Sequence, residues 1–129
     1  MKIVADTSAF LAVVLDEPER DWIINQTAGQ ELVAPEFLPS ELGNALTALF
    51  KIGRLASADL TSAWNAAQSI PVELRSIDIE AALELALKLN IYAYDAYFLE
   101  CAVYSRLPLL TLDRALANNA RSLSIPLVE

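Results

Sequence analysis

The sequence predicts an α/β fold on a mainly parallel sheet, and three observations point to it. Short apolar runs alternate with longer segments of helical spacing along the 129 residues, the pattern left by strand–helix–strand units. Ala and Leu together make 43 residues and 55% of the chain is apolar, which suits helices packed on a substantial core. No repeat, low-complexity tract or Gly/Ser linker interrupts the pattern, and the three glycines and six prolines are scattered. One domain spanning residues 1–129 is therefore expected.

Lys2-Ile3-Val4-Ala5 reads as a first strand ending at Asp6. Asp6-Thr7-Ser8 are capping types, and Phe10, Leu11, Val13 and Val14 behind them indicate a helix. A break at Asp16-Glu17-Pro18 precedes a second helix near Pro18 to Thr27, and Glu31 to Pro35 reads as a second strand. Leu38, Leu42, Ala45, Leu46 and Leu49 mark an amphipathic helix that stops at Gly53. Ser57 is the expected cap of a helix reaching Ser69, and Pro71-Val72-Glu73-Leu74 reads as a third strand. Asp78 caps a helix bearing Ile79, Ala82, Leu83, Ala86 and Leu87, and Ala93 to Arg106 is helical again. Leu109-Leu110-Thr111 is a strand ending near Asp113; a short helix and an edge strand over Ile125 to Val128 close the chain.

Composition removes many chemistries. There is no histidine, so Ser-His-Asp and Cys-His nucleophilic machinery, histidine bases and His-ligated zinc are excluded. Cys101 stands alone and cannot form an internal disulfide; its neighbours Phe98, Leu99, Ala102 and Val103 favour a packed thiol. Asp6 interrupts any secretory apolar run, and the longest uncharged stretch, Leu60 to Val72, has 13 residues. A cytoplasmic protein without a membrane span is expected. The net charge of −8 opposes direct binding of nucleic acid, unless acids hold cations that face the phosphates.

Four acids stand out. Asp6 and Asp113 lie where a strand hands over to a helix, and in a parallel sheet those ends share one edge, so both should enter one cleft. Glu41 falls three residues after Leu38 and four before Ala45, on the core side of its helix, and Asp95 precedes Phe98 and Leu99 by three and four. Each has a plainer reading: Asp6, Asp95 and Asp113 as caps or first-turn acids, Glu41 as a snorkelling rim residue. Asp16, Glu17, Glu19 and Asp21 read as a solvated face.

The stretches Ile3-Val4-Ala5-Asp6-Thr7-Ser8-Ala9-Phe10, Pro39-Ser40-Glu41-Leu42-Gly43-Asn44-Ala45-Leu46, Tyr94-Asp95-Ala96-Tyr97-Phe98 and Leu110-Thr111-Leu112-Asp113 resemble, in order and spacing, the PIN-domain nucleases. More narrowly they resemble VapC-type toxins of toxin–antitoxin pairs, over Ile3 to about Ala117. The resemblance implies a three-layer α/β/α domain and a metal-dependent endoribonuclease. Asp6, Glu41, Asp95 and Asp113 would be the catalytic acids, ligands of one or two Mg²⁺ or Mn²⁺ ions, with Thr7, Ser8 and Thr111 as polar supports. Some relatives carry a further acid or Asn where this chain has Ala117, so a fifth ligand is not expected.

Carboxylates without His, Cys or Lys suit hard, oxygen-ligated cations and metal-assisted hydrolysis. Ser8 and Thr111 either orient a ligand or make ordinary turn and capping bonds. The family implies an RNA substrate, which Tyr92, Tyr94 and Arg114 are near enough in sequence to contact. Tyr97 and Tyr104 read as core or dimer residues; Lys51 and Arg54 read as phosphate contacts or helix-dipole partners. Phe10 to Leu15 and Leu42 to Ile52 carry apolar residues beyond one stripe, which suits a homodimer, a groove for a cognate antitoxin, or burial on two sides. Two other readings stand beside these: a non-catalytic binding module and a phosphoacceptor receiver domain. The receiver is disfavoured because Thr7-Ser8 follows Asp6 and no lysine occurs after Lys88.

Overall fold

The computed structural model describes all residues, Met1–Glu129. The elements run β1 (Lys2–Ala5), α1 (Thr7–Val14), α2 (Arg20–Thr27), β2 (Glu31–Pro35), α3 (Leu38–Lys51), α4 (Ser57–Gln68), β3 (Glu73–Arg75), α5 (Ile79–Leu89), α6 (Ala93–Ser105), β4 (Leu109–Leu110) and α7 (Arg114–Ser122). The sheet has the order β3-β2-β1-β4, with every pair parallel. Three successive residues are buried in both β1 and β2. Side chains alternate across a strand, so such runs require cover on both faces. Helices α1 to α4 pack among themselves, α5 packs on α6, and α6 lies against β1 and β2. This is the expected α/β arrangement of a parallel sheet flanked by helices.

Twenty buried residues form one contiguous core, from Ile3, Val4 and Phe10 through Val33 and Leu99 to Leu109 and Ile125. The chain leaves β1 for β2 on one side and returns from β3, by way of α5 and α6, to place β4 on the other. The carboxyl ends of β1 and β4 therefore flank the point where strand order reverses, the usual place for a ligand crevice in such sheets.

Several boundaries differ from the sequence reading. The cap of α4 is Ala56, whose backbone is extended and whose carbonyl accepts from Leu60 N; Ser57 is the first helical residue. The third strand begins at Glu73, opposite Val33, beyond the donor-less Pro71. Ile125 to Val128 forms a single parallel bridge, Leu127 to Leu109, because β4 offers only two residues to pair with. In α1, Phe10 and Ala12 are buried while Leu11 and Val13 pack on the core, so that helix is covered on more than one side. On α3, Leu46 is buried, whereas Phe50 and Ile52 at its end are 48% and 65% exposed. No helix is long and apolar enough to cross a membrane.

Candidate active site

Asp6 follows directly on β1 and caps α1: its Oδ1 accepts from Ala9 N at 3.1 Å. The same oxygen accepts from Ser8 Oγ at 2.7 Å, and Oδ2 accepts from Thr111 Oγ1 at 2.5 Å. Both hydroxyls are in turn fixed by the turn after β4, where Leu112 N donates to Ser8 Oγ and Asp113 N to Thr111 Oγ1. A hydroxyl has one proton, so both are committed to Asp6, and the 3.4 Å Ser8–Thr111 approach carries no proton of its own. Asp6 is buried, and burial holds its carboxyl above the ordinary 3.8. Ser8, Thr111 and the Ala9 amide pull it down, and the Asp113 charge adds to the rise.

The other three acids come from three helices. Leu38, Leu42 and Leu46 bury one face of α3 and turn Glu41 inward beside them, half-buried. Burial raises its carboxyl; the Thr7 hydroxyl pulls it down, and Asp95 and Asp6 push it up. Thr7 Oγ1 and Glu41 Oε2 nevertheless form no hydrogen bond of normal geometry, and both are buried without a partner. Asp95 lies in the first turn of α6, anchored by the buried Ala96, Phe98 and Leu99 that follow it. Burial, then the Asp113 charge, raises its carboxyl. Asp113 is exposed and caps α7, its Oδ1 accepting from Ala115 N and Leu116 N at 2.9 and 3.1 Å.

These repulsions close a ring: Asp6 with Asp113, Asp113 with Asp95, Asp95 with Glu41, and Glu41 with Asp6. The structure thus brings the four acids into one electrostatic neighbourhood. Their oxygens do not converge, since no three close around a common point at ion-coordinating distance. An all-oxygen donor set with a buried, unpartnered Glu41 Oε2 fits a hard divalent cation.

The family model described as PIN domain matches residues 3–122. The chain belongs to the PIN-domain family. It is 30% identical over 131 residues to Ribonuclease VapC3 of Pyrobaculum aerophilum, an alignment covering 98% of this chain and 100% of that one. Among solved structures, PAE2754 of Pyrobaculum aerophilum superposes with a TM-score of 0.70 at 25% identity, over 92% of this chain and 87% of the other. VapBC2 of Rickettsia felis, solved with a DNA fragment from its promoter, also gives 0.70, at 14% identity over 98% and 97%; that likeness is one of fold.

Around the acids of this PIN domain, the remaining residues sort clearly. Ser8 and Thr111 do both: they accept from Leu112 N and Asp113 N in the turn after β4, and they hold the Asp6 carboxylate from two segments 103 residues apart. Tyr92 and Tyr94 are exposed near Asp95. Tyr97 stacks on Phe37 at 4.8 Å and meets Tyr94 edge-on at 5.6 Å, linking the starts of the helices that carry Glu41 and Asp95. That aromatic link had no signal in the spacing of residues so far apart in sequence. Tyr104 is 83% exposed, so it is no core residue. Lys51, Arg54 and Arg114 are exposed, as are Asp16, Glu17, Glu19 and Asp21. Cys101 is buried, its thiol pushed up to about 11 chiefly by burial, an inert packed side chain. A cleft of about 170 Å³, nearly all apolar, lies between α1 and α2 and includes Ala9, Phe10, Val13, Ile23 and Ile24, none of them an acid of the site.

Proposed function

We propose that this PIN domain, a single unit over residues 1–129, is a Mg²⁺- or Mn²⁺-dependent endoribonuclease and the toxin of a VapBC-type toxin–antitoxin pair. The observation that carries the reading is the buried Asp6 at the carboxyl end of β1, held by Ser8 and Thr111 beside the Asp113 turn at the sheet's switch point. The likeness to Ribonuclease VapC3 across nearly the whole chain supports the substrate class. Asp6, Glu41, Asp95 and Asp113 would hold one or two ions. When bound, such ions acidify the attacking water and stabilise charge developing around the scissile phosphate.

The chain's own residues do the rest. Ser8 and Thr111 fix the Asp6 carboxylate so that one lone pair of Oδ2 stays open. Asp113 spends Oδ1 on the α7 cap, which leaves Oδ2 for the cleft. Tyr92, Tyr94 and Arg114 supply ring faces and a cation for a single-stranded RNA. The apolar cleft between α1 and α2 supports docking of an amphipathic antitoxin helix, and exposed Phe50 and Ile52 support a homodimer face, all in the cytoplasm. Purified chain, freed of partner, should cleave RNA with Mn²⁺ and stop in EDTA. A second reading, a non-catalytic binding module, draws on the capping roles of Asp6 and Asp113; it predicts RNA left intact under every metal condition.

A further inference from the structure

Glu41 and Asp95 come from helices that no extensive interface joins: α3 packs on α1 and α4, and α6 on α5, β1 and β2. Their first turns, which carry the two acids, are bridged instead by side chains. The rings of Phe37 and Tyr97 stack with centroids 4.8 Å apart and planes inclined by 26°, within the range of a favourable aromatic pair. Both residues are partly buried. Phe37 is the residue before α3, and its carbonyl accepts from Glu41 N at 3.0 Å, so the turn that Phe37 opens is the turn that carries Glu41. Tyr97 stands two residues after Asp95, between the buried Ala96 and Phe98, which fix its backbone against the core. The stack therefore sets a distance and an angle between two helix starts that little else connects.

We propose that Phe37 and Tyr97 form a positioning pair: their stack fixes the spacing of Glu41 and Asp95 and so readies the two acids for a divalent cation in the cleft. This rests on the reading that the four acids hold such a cation. The pair acts through the acids, not on the ion. Cations of the Mg²⁺ type demand near-ideal octahedral geometry, so ligands on two separate helices bind one best when their separation is set before the ion arrives. The worth of one aromatic pair corresponds to about 2- to 10-fold in affinity, and that is the most the stack can contribute by holding the acids ready.

The test is Mn²⁺ binding to the intact chain, followed by calorimetry and by the electron paramagnetic resonance signal of free Mn²⁺, with no RNA present. Tyr97→Leu and Phe37→Leu keep an apolar side chain and remove the stack; each should weaken binding by about 2- to 10-fold. Because the rings act as one unit, the double variant should lose no more than either single one. Tyr97→Phe keeps the stack and should bind as the unmodified chain does, as should Tyr104→Leu, which alters an exposed tyrosine at the far end of α6. If one leucine variant fails to fold by circular dichroism, the other carries the comparison, with Phe37→Tyr as the conservative exchange at Phe37. A lower metal-free melting temperature with unchanged Mn²⁺ affinity would make the stack an ordinary packing contact and overturn the proposal. Additive losses in the double variant, failure of Tyr97→Phe to retain binding, or an equal loss in Tyr104→Leu would overturn it too, leaving the metal site standing. An unmodified chain that binds no Mn²⁺ would overturn the metal site and this inference together.

Discussion

Replacing Thr111 by Val keeps the shape of the side chain and removes one hydroxyl. That hydroxyl donates to Asp6 Oδ2 at 2.5 Å and accepts from Asp113 N at 3.0 Å. The second bond lies at an exposed position, where water replaces the lost acceptor at little cost. The first goes to a buried carboxylate, and hydrogen bonds to charged groups contribute about 1.5–3 kcal/mol. A loss of about 2 kcal/mol is therefore expected at pH 7. With an unfolding entropy of about 2.1 cal/mol/K per residue, a chain of this length has about 0.27 kcal/mol/K, so Tm should fall by about 7 °C. The drop should also depend on pH. Burial raises the Asp6 carboxyl above 3.8, so at pH 3.8 more than half of the folded chain carries it neutral. The bond is then of the neutral kind, worth about 1 kcal/mol, and the fall shrinks to about half. Thermal melts by circular dichroism at the two pH values decide the matter. An equal drop at both, or none at either, would refute the claim that Thr111 supports a charged Asp6.

Asp95→Asn should abolish cleavage together with metal-induced stabilisation, which for the unmodified chain at 100 times the Kd of Mn²⁺ is about 2.7 kcal/mol or about 10 °C; a mutant retaining full metal-dependent cleavage would remove Asp95 from the ligand set. Asp6, Glu41 and Asp95 all have raised carboxyl pKa values, chiefly through burial. Their contribution to stability is fully present below the unfolded values of 3.8 and 4.5 and is lost as pH rises through the folded ones. Glu41→Gln should therefore raise the urea midpoint of the metal-free protein at pH 7 more than at pH 4, while cleavage falls. Asp16, Glu17, Glu19 and Asp21 are exposed, so alanine at any one should shift stability by less than about 0.5 kcal/mol and leave cleavage intact. Tyr94→Ala should weaken binding of a non-cleavable single-stranded RNA analogue by the worth of one stacked base, about 1–3 kcal/mol, with Tyr94→Phe near the unmodified chain, in a fluorescence titration with Mn²⁺ present.

Local chemistry made most of the fold legible. Asp6, Asp78 and Asp113 cap the helices that their positions announce, and Gly53, with φ +76°, takes the left-handed turn just past α3. Reading failed where the backbone, not the side chain, decides the role. Ser57 has a capping side chain, but Ala56 has the extended backbone at the cap position. The four acids were legible one by one from their places at strand ends and on buried helix faces. That Asp6 and Asp113 share one cleft followed from the parallel sheet, and the resemblance named Thr111 as a support; that Thr111 donates to Asp6 across 105 positions was not legible, because no local pattern carries such a contact. Of the two readings of Tyr104, core or dimer residue, α6 removes the core one by turning that side chain outward, to 83% exposure.

The tie between Asp6 and Thr111 also sets the order in which a ribosome can arm this chain. Strands β1, β2 and β3 are adjacent in the sheet and emerge first, whereas the hydroxyl that completes the Asp6 cradle and the fourth acid arrive only with residues 111 and 113. At about 5–20 residues per second, a nascent chain spends several seconds with Asp6 and Glu41 made but without the far half of the site. A chain stalled before β4 keeps three of the four acids and lacks what holds the first of them in place. On the proposed ligand set, the four-acid cleft is therefore complete only once residue 113 has been made.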